Sequence, residues 1–239
     1  LKAERAKHRH MGLDTHMIGP DEIREICPVI SVEGVLGALY DPLDGHLDPA
    51  GTTHAYAIAA RRQGAEIVLR NRVLELNQKP DRSWDVVTEQ GTVNAEYVVN
   101  AGGLWAREVG EMVGVYHPLI AMEHQYLVTD DIPEVYEREE ELPHVVDPGA
   151  MTYFRQEGRG LVLGIYEQDC DPWSVERTPW DFGHELLPDN LERISGPLEA
   201  AFRRYPCLEN AGIKRVINGP FTFAPDGNPL VGPVPGVPG

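Results

Sequence analysis

The stretch "DGHLDPAGTTHAYAIAARRQGAEIVLR", residues 44–70, carries the clearest local signal in the chain. Asp48 can cap a helix, and Pro49 suits the first helical position, where a missing N–H costs nothing. Ala55, Ile58, Ala59 and Arg62 follow at helical spacing. Gly64 is placed to end the helix in a left-handed conformation. "AEIVLR" then reads as a strand. An extended segment, a helix and a strand make a β-α-β pattern, so this stretch predicts an α/β fold.

The flanks extend that reading. Upstream, "MIGPDEIREICPVI" puts Pro20, Asp21 and Glu22 at the start of a short helix that Pro28 ends. The acidic first turn suits the helix dipole. Downstream, "RVLELN", "WDVVTE" and "AEYVVN" predict three strands, with turns at Pro80–Asp81 and Gln90–Gly91. From "HPLIAMEHQYLVTD" (117–130) to "RGLVLGIYEQ" (159–168) the pattern is strand-rich with polar loops. That predicts an antiparallel sheet and a second region of different architecture. "LPDNLERISGPLEAAFRRYP" reads as helical and "GIKRVINGPFTFAP" as a return strand.

Bulk properties narrow the function. With 42% hydrophobic and 25% charged residues in 239, the composition is that of a globular protein. A net charge of −17 repels nucleic acid and anionic membrane, so neither is expected as a partner. Cys27, Cys170 and Cys207 show no C-x-x-C spacing, which implies a reducing compartment and no disulfide framework. No apolar run approaches the ~20 residues of a spanning helix. "LKAERAKHRH" is charged and lacks the apolar region of a signal peptide. The chain opens without an initiator Met and closes on the loop "GPVPGVPG", so it reads as a segment of a longer protein.

Several motifs are missing. No Gly-x-Gly-x-x-Gly, Walker sequence or serine nucleophile elbow occurs, and no His, Cys or Glu set has metal-ligand spacing. Gly158–Gly160 falls between two strand patterns and reads as a hairpin turn. His8 and His10 read as part of a solvated helix face.

"VVNAGGLWAREVG" (98–110) reads as strand, glycine pair and helix. Ala101, Gly102 and Gly103 remove side-chain bulk, so the backbone can approach a ligand and offer free N–H groups. Trp105 can cover an aromatic ring or simply pack. A small-residue turn between strand and helix explains the same residues equally well. In "MEHQYLVTD", His124 and Tyr126 share one strand face, and Glu123 and Gln125 share the other. The stretch is either a solvated edge strand or a site wall with His124 as an acid, base or orienting group. "MTYFRQEGRGLVLGIYE" offers Tyr153 and Arg155 on one face and Tyr166 on the partner strand. That set is either a carboxylate clamp or a cross-strand aromatic pair beside a surface arginine. "FAPDGNPLVGPVPG" is turn chemistry around Asp226–Gly227.

Together these stretches resemble the FAD-dependent oxidoreductases of the D-amino-acid oxidase (DAO) family. The likeness is greatest to the dimethylglycine and sarcosine dehydrogenase branch. It rests on "DGHLDPAGTTHAYAIAARRQGAEI", "VVNAGGLWAREVG", "HPLIAMEHQYLVTD" and "NGPFTFAPDGNPLVGP", in the family's order and over nearly the whole chain. The resemblance implies an α/β (α+β overall) fold: a partial Rossmann-like FAD domain at 1–113 and 219–239, with an inserted antiparallel substrate domain at 114–218. It implies FAD as cofactor, with Val73, Ala101, Gly102 and Trp105 on its adenosine side and Asp226 and Gly227 approaching the flavin. It implies His124 and Tyr153 as the catalytic pair facing flavin and amine. Tyr166 and, as a carboxylate anchor, Arg155 then belong to substrate binding. No metal is implied.

The expected activity is hydride transfer to flavin from the carbon beside nitrogen in an N-methyl amino acid, followed by imine hydrolysis. The electron acceptor would be oxygen or an electron-transfer protein. The expected location is cytoplasmic, or the mitochondrial matrix for a eukaryotic parent. A D-amino-acid or glycine oxidase of the same family is the nearest alternative. A non-catalytic α/β binding module is the alternative from another class. The family's glycine-rich FAD fingerprint would precede residue 1, so the segment alone is expected to bind FAD weakly or not at all.

Overall fold

The computed structural model describes residues 1–239. In chain order the elements are α1 (Lys2–His10), β1 (His16–Ile18), α2 (Pro20–Ile26), β2 (Ala38–Tyr40), α3 (Pro49–Arg62), β3 (Val73–Gln78), β4 (Trp84–Thr88) and β5 (Gly91–Ala95). They continue with α4 (Ala106–Glu111), β6 (Ile120–Thr129), α5 (Pro133–Tyr136), β7 (Val145–Asp147), β8 (Thr152–Glu157), β9 (Gly160–Ile165), β10 (Pro172–Trp173), α6 (Ser195–Arg204) and β11 (Ile213–Phe223). The architecture is mixed α/β with antiparallel sheets.

Packing divides the chain into two units: residues 1–46, 124–170 and 186–219, and residues 47–123, 171–185 and 220–239. The N-terminal residues join the central sheet because they share its core.

The first unit is organised by strand alternation. β8 and β9 form a hairpin closing at Glu157↔Gly160, with Gly158 at φ +57 in the turn. β9 pairs with β6, β8 pairs with β7, and β11 also pairs with β6. Leu127, Phe154, Leu161, Leu163 and Ile165 point to one face. They pack with Val29, Ile132, Val135, Ile194, Ala201 and Tyr205 in a single core. The Phe154 and Tyr205 rings meet edge-on at 4.8 Å, and Thr152 satisfies the buried Tyr205 hydroxyl at 2.9 Å. Arg204 ties α6 down by donating to Asp147 Oδ2 at 2.6 Å and to the Ser31 carbonyl at 2.6 Å.

The second unit holds α3 and a meander of β3, β4 and β5. Asp48 caps α3 by accepting from the Gly51 amide, and Gly64 takes φ +91 beyond its end, as the sequence predicts. The predicted β-α-β unit does not form. Residues 65–70 and 97–100 are not strands. A strand is held by its ladder partners, and these segments have none within the chain. Val68, Leu69, Tyr97 and Val99 are exposed, and α3 buries no residue. The third meander strand also lies earlier than predicted. A tight turn pairs Thr88 with Gly91, so residues 91–95 oppose β4.

Candidate active site

The two faces of the central sheet have opposite chemistry. On β6 the inward residues Gln125, Leu127 and Thr129 are buried, while His124, Tyr126 and Val128 are half-buried on the other side. Register carries that second face across the sheet: Tyr126 is opposite Gly164, and Gly164 is opposite Tyr153. Antiparallel pairing then separates the next residues on this face: Tyr166, just past β9, lies at the His124 end, while Arg155, opposite Val162, lies at the other. This face therefore groups His124, Tyr153 and Tyr166, with Arg155 two residues along β8 from Tyr153.

Gly164 makes this face possible. A Cβ there would lie 1.8 Å from Tyr153 Cζ, so the tyrosine ring occupies the space that a side chain at 164 would fill. Tyr153 meets Tyr166 at 5.1 Å and His144 edge-on at 5.9 Å, and His124 meets Tyr166 edge-on at 6.2 Å. Aromatic pairs of this kind contribute about 0.5–1.5 kcal/mol each. Burial pushes the Tyr153 pKa up; Tyr166 and Tyr126 add to the rise and Arg155 opposes it. Its phenol therefore stays protonated, a hydrogen-bond donor. Burial lowers the His144 pKa; Asp44 opposes this, while His46 and Arg155 add to it.

Behind His124 lies a buried ion pair that the sequence reading missed. Glu167 Oε2 is 3.5 Å from His124 Nδ1, and Arg193 holds Glu167 Oε1 at 3.2 Å. The Glu167 and Arg193 side chains are only 3% and 8% exposed. Breaking such a pair costs about 3–5 kcal/mol because a charge is left buried alone. Glu167 falls just past the end of β9, and Arg193 precedes α6. Nothing in their spacing joins them, so no sequence pattern could have found them. Arg155, the expected carboxylate anchor, is paired with Glu157 and with the Gln156 carbonyl.

The expected cofactor residues lie in the second unit. "VVNAGGLW" enters a 3-10 turn at Gly103–Trp105 and then α4, a helix of six residues. Asn100 closes the turn: its Oδ1 accepts from Gly102 N–H at 3.1 Å, and its Nδ2 donates to the Ala106 carbonyl at 2.8 Å. A Cβ on Gly102 would meet Asn100 and the Ala106 backbone at 3.0–3.2 Å. Gly103, at φ +54, faces open space. Trp105 donates its indole N–H to the Pro179 carbonyl at 2.9 Å. Arg107 and Glu108 anchor α4, with Glu108 accepting from the Thr178 amide at 2.6 Å. Burial pushes Glu108 up, but the amides of Thr178 and Glu108 and the Arg107 guanidinium outweigh it and lower its pKa. Val73 opens β3 opposite Thr88. Asp226 and Gly227 sit in an exposed turn, where Asp226 accepts from the Asn228 amide at 3.1 Å.

These residues suit a flavin dinucleotide in one respect. The bare, exposed backbone at Ala101 and Gly103 permits close approach. They do not form a phosphate cradle, because Asn100 already takes the Gly102 N–H and α4 is short.

The chain thus has a sheet with a buried apolar face and an open face of tyrosines, histidine and arginine and, in its second unit, a glycine-bearing turn into a helix. It belongs to the FAD dependent oxidoreductase (DAO) family, whose model matches residues 1–239. Among its relatives, the mitochondrial dimethylglycine dehydrogenase of Mus musculus is 44% identical over 94% of this chain and 26% of that protein. The mitochondrial sarcosine dehydrogenase of Homo sapiens is 36% identical over 94% of this chain and 24% of its own length. The crystal structure of L-proline dehydrogenase from P. horikoshii aligns at a TM-score of 0.77 and 25% identity, covering 96% of this chain and 58% of that one. The chain thus spans about a quarter of the length of the curated relatives it matches. No helix is long and apolar enough to cross a membrane.

Proposed function

We propose that the chain is part of a flavin-dependent oxidoreductase that oxidises the C–N bond of an N-methyl amino acid of the dimethylglycine or sarcosine type. The observation that carries this reading is the grouping of His124, Tyr153 and Tyr166 on the open face of an otherwise apolar sheet. The 44% identity to a dimethylglycine dehydrogenase supports the substrate class.

A bound flavin would accept the hydride. The chain prepares the amine for that step. A protonated amine has no lone pair to drive hydride out, so a base must take its proton. His124 is the base on this face. Tyr153 donates a hydrogen bond and, with Tyr166, walls the substrate. Arg155 receives the substrate carboxylate by exchanging it for Glu157. Holding the amine in one orientation is the main contribution, because the redox chemistry belongs to the cofactor. On the cofactor side, Val73, Ala101, Gly102 and Trp105 flank the adenosine, and Asp226 and Gly227 approach the flavin. The exposed apolar residues of the second unit, among them Tyr56, Ile58, Val68 and Leu69, support a larger parent whose further residues cover them.

Oxygen or an electron-transfer protein would take the electrons. The proposed location is the mitochondrial matrix in a eukaryote, supported by relatives named as mitochondrial, and the cytoplasm otherwise. The structural likeness to L-proline dehydrogenase keeps a second reading in view, another amino-acid amine as substrate.

His124→Ala in the intact protein is expected to lower dimethylglycine turnover ~100-fold or more near neutral pH. Turnover that is unchanged across the pH range would rule out the role given to His124.

A further inference from the structure

We infer that Glu167 is the positioning residue for His124, fixing its proton on Nδ1 and presenting Nε2 to the amine. The inference rests on the proposed role of His124 as base. Glu167 is buried, and its two oxygens are unequally served. Arg193 holds Oε1 at 3.2 Å. Oε2 is buried without a hydrogen-bond partner and lies 3.5 Å from His124 Nδ1. A buried carboxylate oxygen left unserved costs free energy, and a protonated Nδ1 relieves that cost.

The consequence is a defined tautomer. With the proton on Nδ1 directed at Glu167, the lone pair sits on Nε2. Nε2 can then accept the ammonium proton of the substrate, which leaves the lone pair on the amine nitrogen to drive hydride from the adjacent carbon. The imidazolium formed is neutralised by Glu167. Arg193 holds that carboxylate in place at 3.2 Å. The titratable and charged groups near His124 include Glu167, Arg193 behind it, Tyr166 at 6.2 Å, Tyr126 on the same strand face and Glu123 next in sequence. The arrangement is a carboxylate–histidine pair in which the carboxylate orients and never reacts.

The test is nitrogen-15 NMR of histidine-labelled intact protein, with the His124 signals assigned by their loss in His124→Asn. Neutral His124 is expected as the Nδ1–H tautomer. In Glu167→Gln, whose amide can donate to Nδ1, the Nε2–H tautomer is expected to gain population. An Nε2–H tautomer in the unaltered protein would overturn the inference, and that readout does not depend on the variant folding. An unchanged tautomer balance in folded Glu167→Gln would overturn it as well. Neither readout needs an amine. If His124 shows the Nδ1–H tautomer while no amine reduces the flavin, the proposed function fails and only the fixing of the tautomer by Glu167 stands. Amine turnover with an Nε2–H histidine rejects the positioning role alone.

Discussion

Gly164 shows how much of the site depends on what a residue lacks. A glycine inside a strand normally weakens it, and one with unstrained backbone attracts no notice in a sequence. Here its missing side chain is the seat for Tyr153. Gly164→Ala would force the Tyr153 ring off the sheet, because the new Cβ would lie 1.8 Å from Cζ. The expected cost is about 1–3 kcal/mol, read as a lower urea midpoint, together with reduced amine turnover. An unchanged midpoint would mean that the ring does not rest on that glycine. At this scale the sequence was partly legible. Strand alternation placed His124 with Tyr126 and Tyr153 with Arg155. It could not find Glu167 or Arg193, since their partnership depends on loops that bring residues 26 positions apart within 3.2 Å.

Among the elements, those that carry their own evidence were the readable ones. α2 and α3 announce themselves through proline, acidic or capping residues, and β6, β8 and β9 through alternation or continuous apolar runs. The segments 65–70 and 97–100 were misread because apolar composition alone does not make a strand. A ladder partner is also required, and none lies within the chain. β8 and β9 matter most to stability, since Phe154, Leu161, Leu163 and Ile165 are all essentially unexposed. Phe154→Ala would empty the site against Tyr205 and is expected to cost about 3–5 kcal/mol. Chemical denaturation checks this, and a loss below about 1 kcal/mol would show that the core can collapse around the gap.

In the whole molecule, the two units differ in how they are held. The first has a continuous core, whereas the second buries only Leu76, Trp84 and Ala121 among its apolar residues. The pH dependence of stability should therefore be set by the first unit. Burial pushes the Cys27 thiol up to about 12 and the Tyr205 phenol up to about 12. Both folded values lie above the unfolded ones, so the unfolded chain sheds these protons first. Stability from these groups is full below about pH 8.5, the ordinary thiol value, and is lost as pH rises toward 12. Urea midpoints measured from pH 8 to 11 should fall, and Cys27→Ala should flatten the slope. A midpoint that rises with pH would contradict the burial of both groups. Separately, residues 1–239 purified alone should carry little or no flavin. A stoichiometric yellow spectrum would show that the turn at Ala101–Gly103 suffices without a phosphate cradle.

The account turns on the open face of the sheet being an amine site. The most direct test is anaerobic mixing of the intact, flavin-loaded protein with dimethylglycine, sarcosine, glycine and a D-amino acid, following flavin bleaching by absorbance. Dimethylglycine or sarcosine should bleach the flavin fastest, and His124→Ala should slow that bleaching ~100-fold or more. Bleaching by none of the four amines, or at the same rate in His124→Ala, would contradict the account.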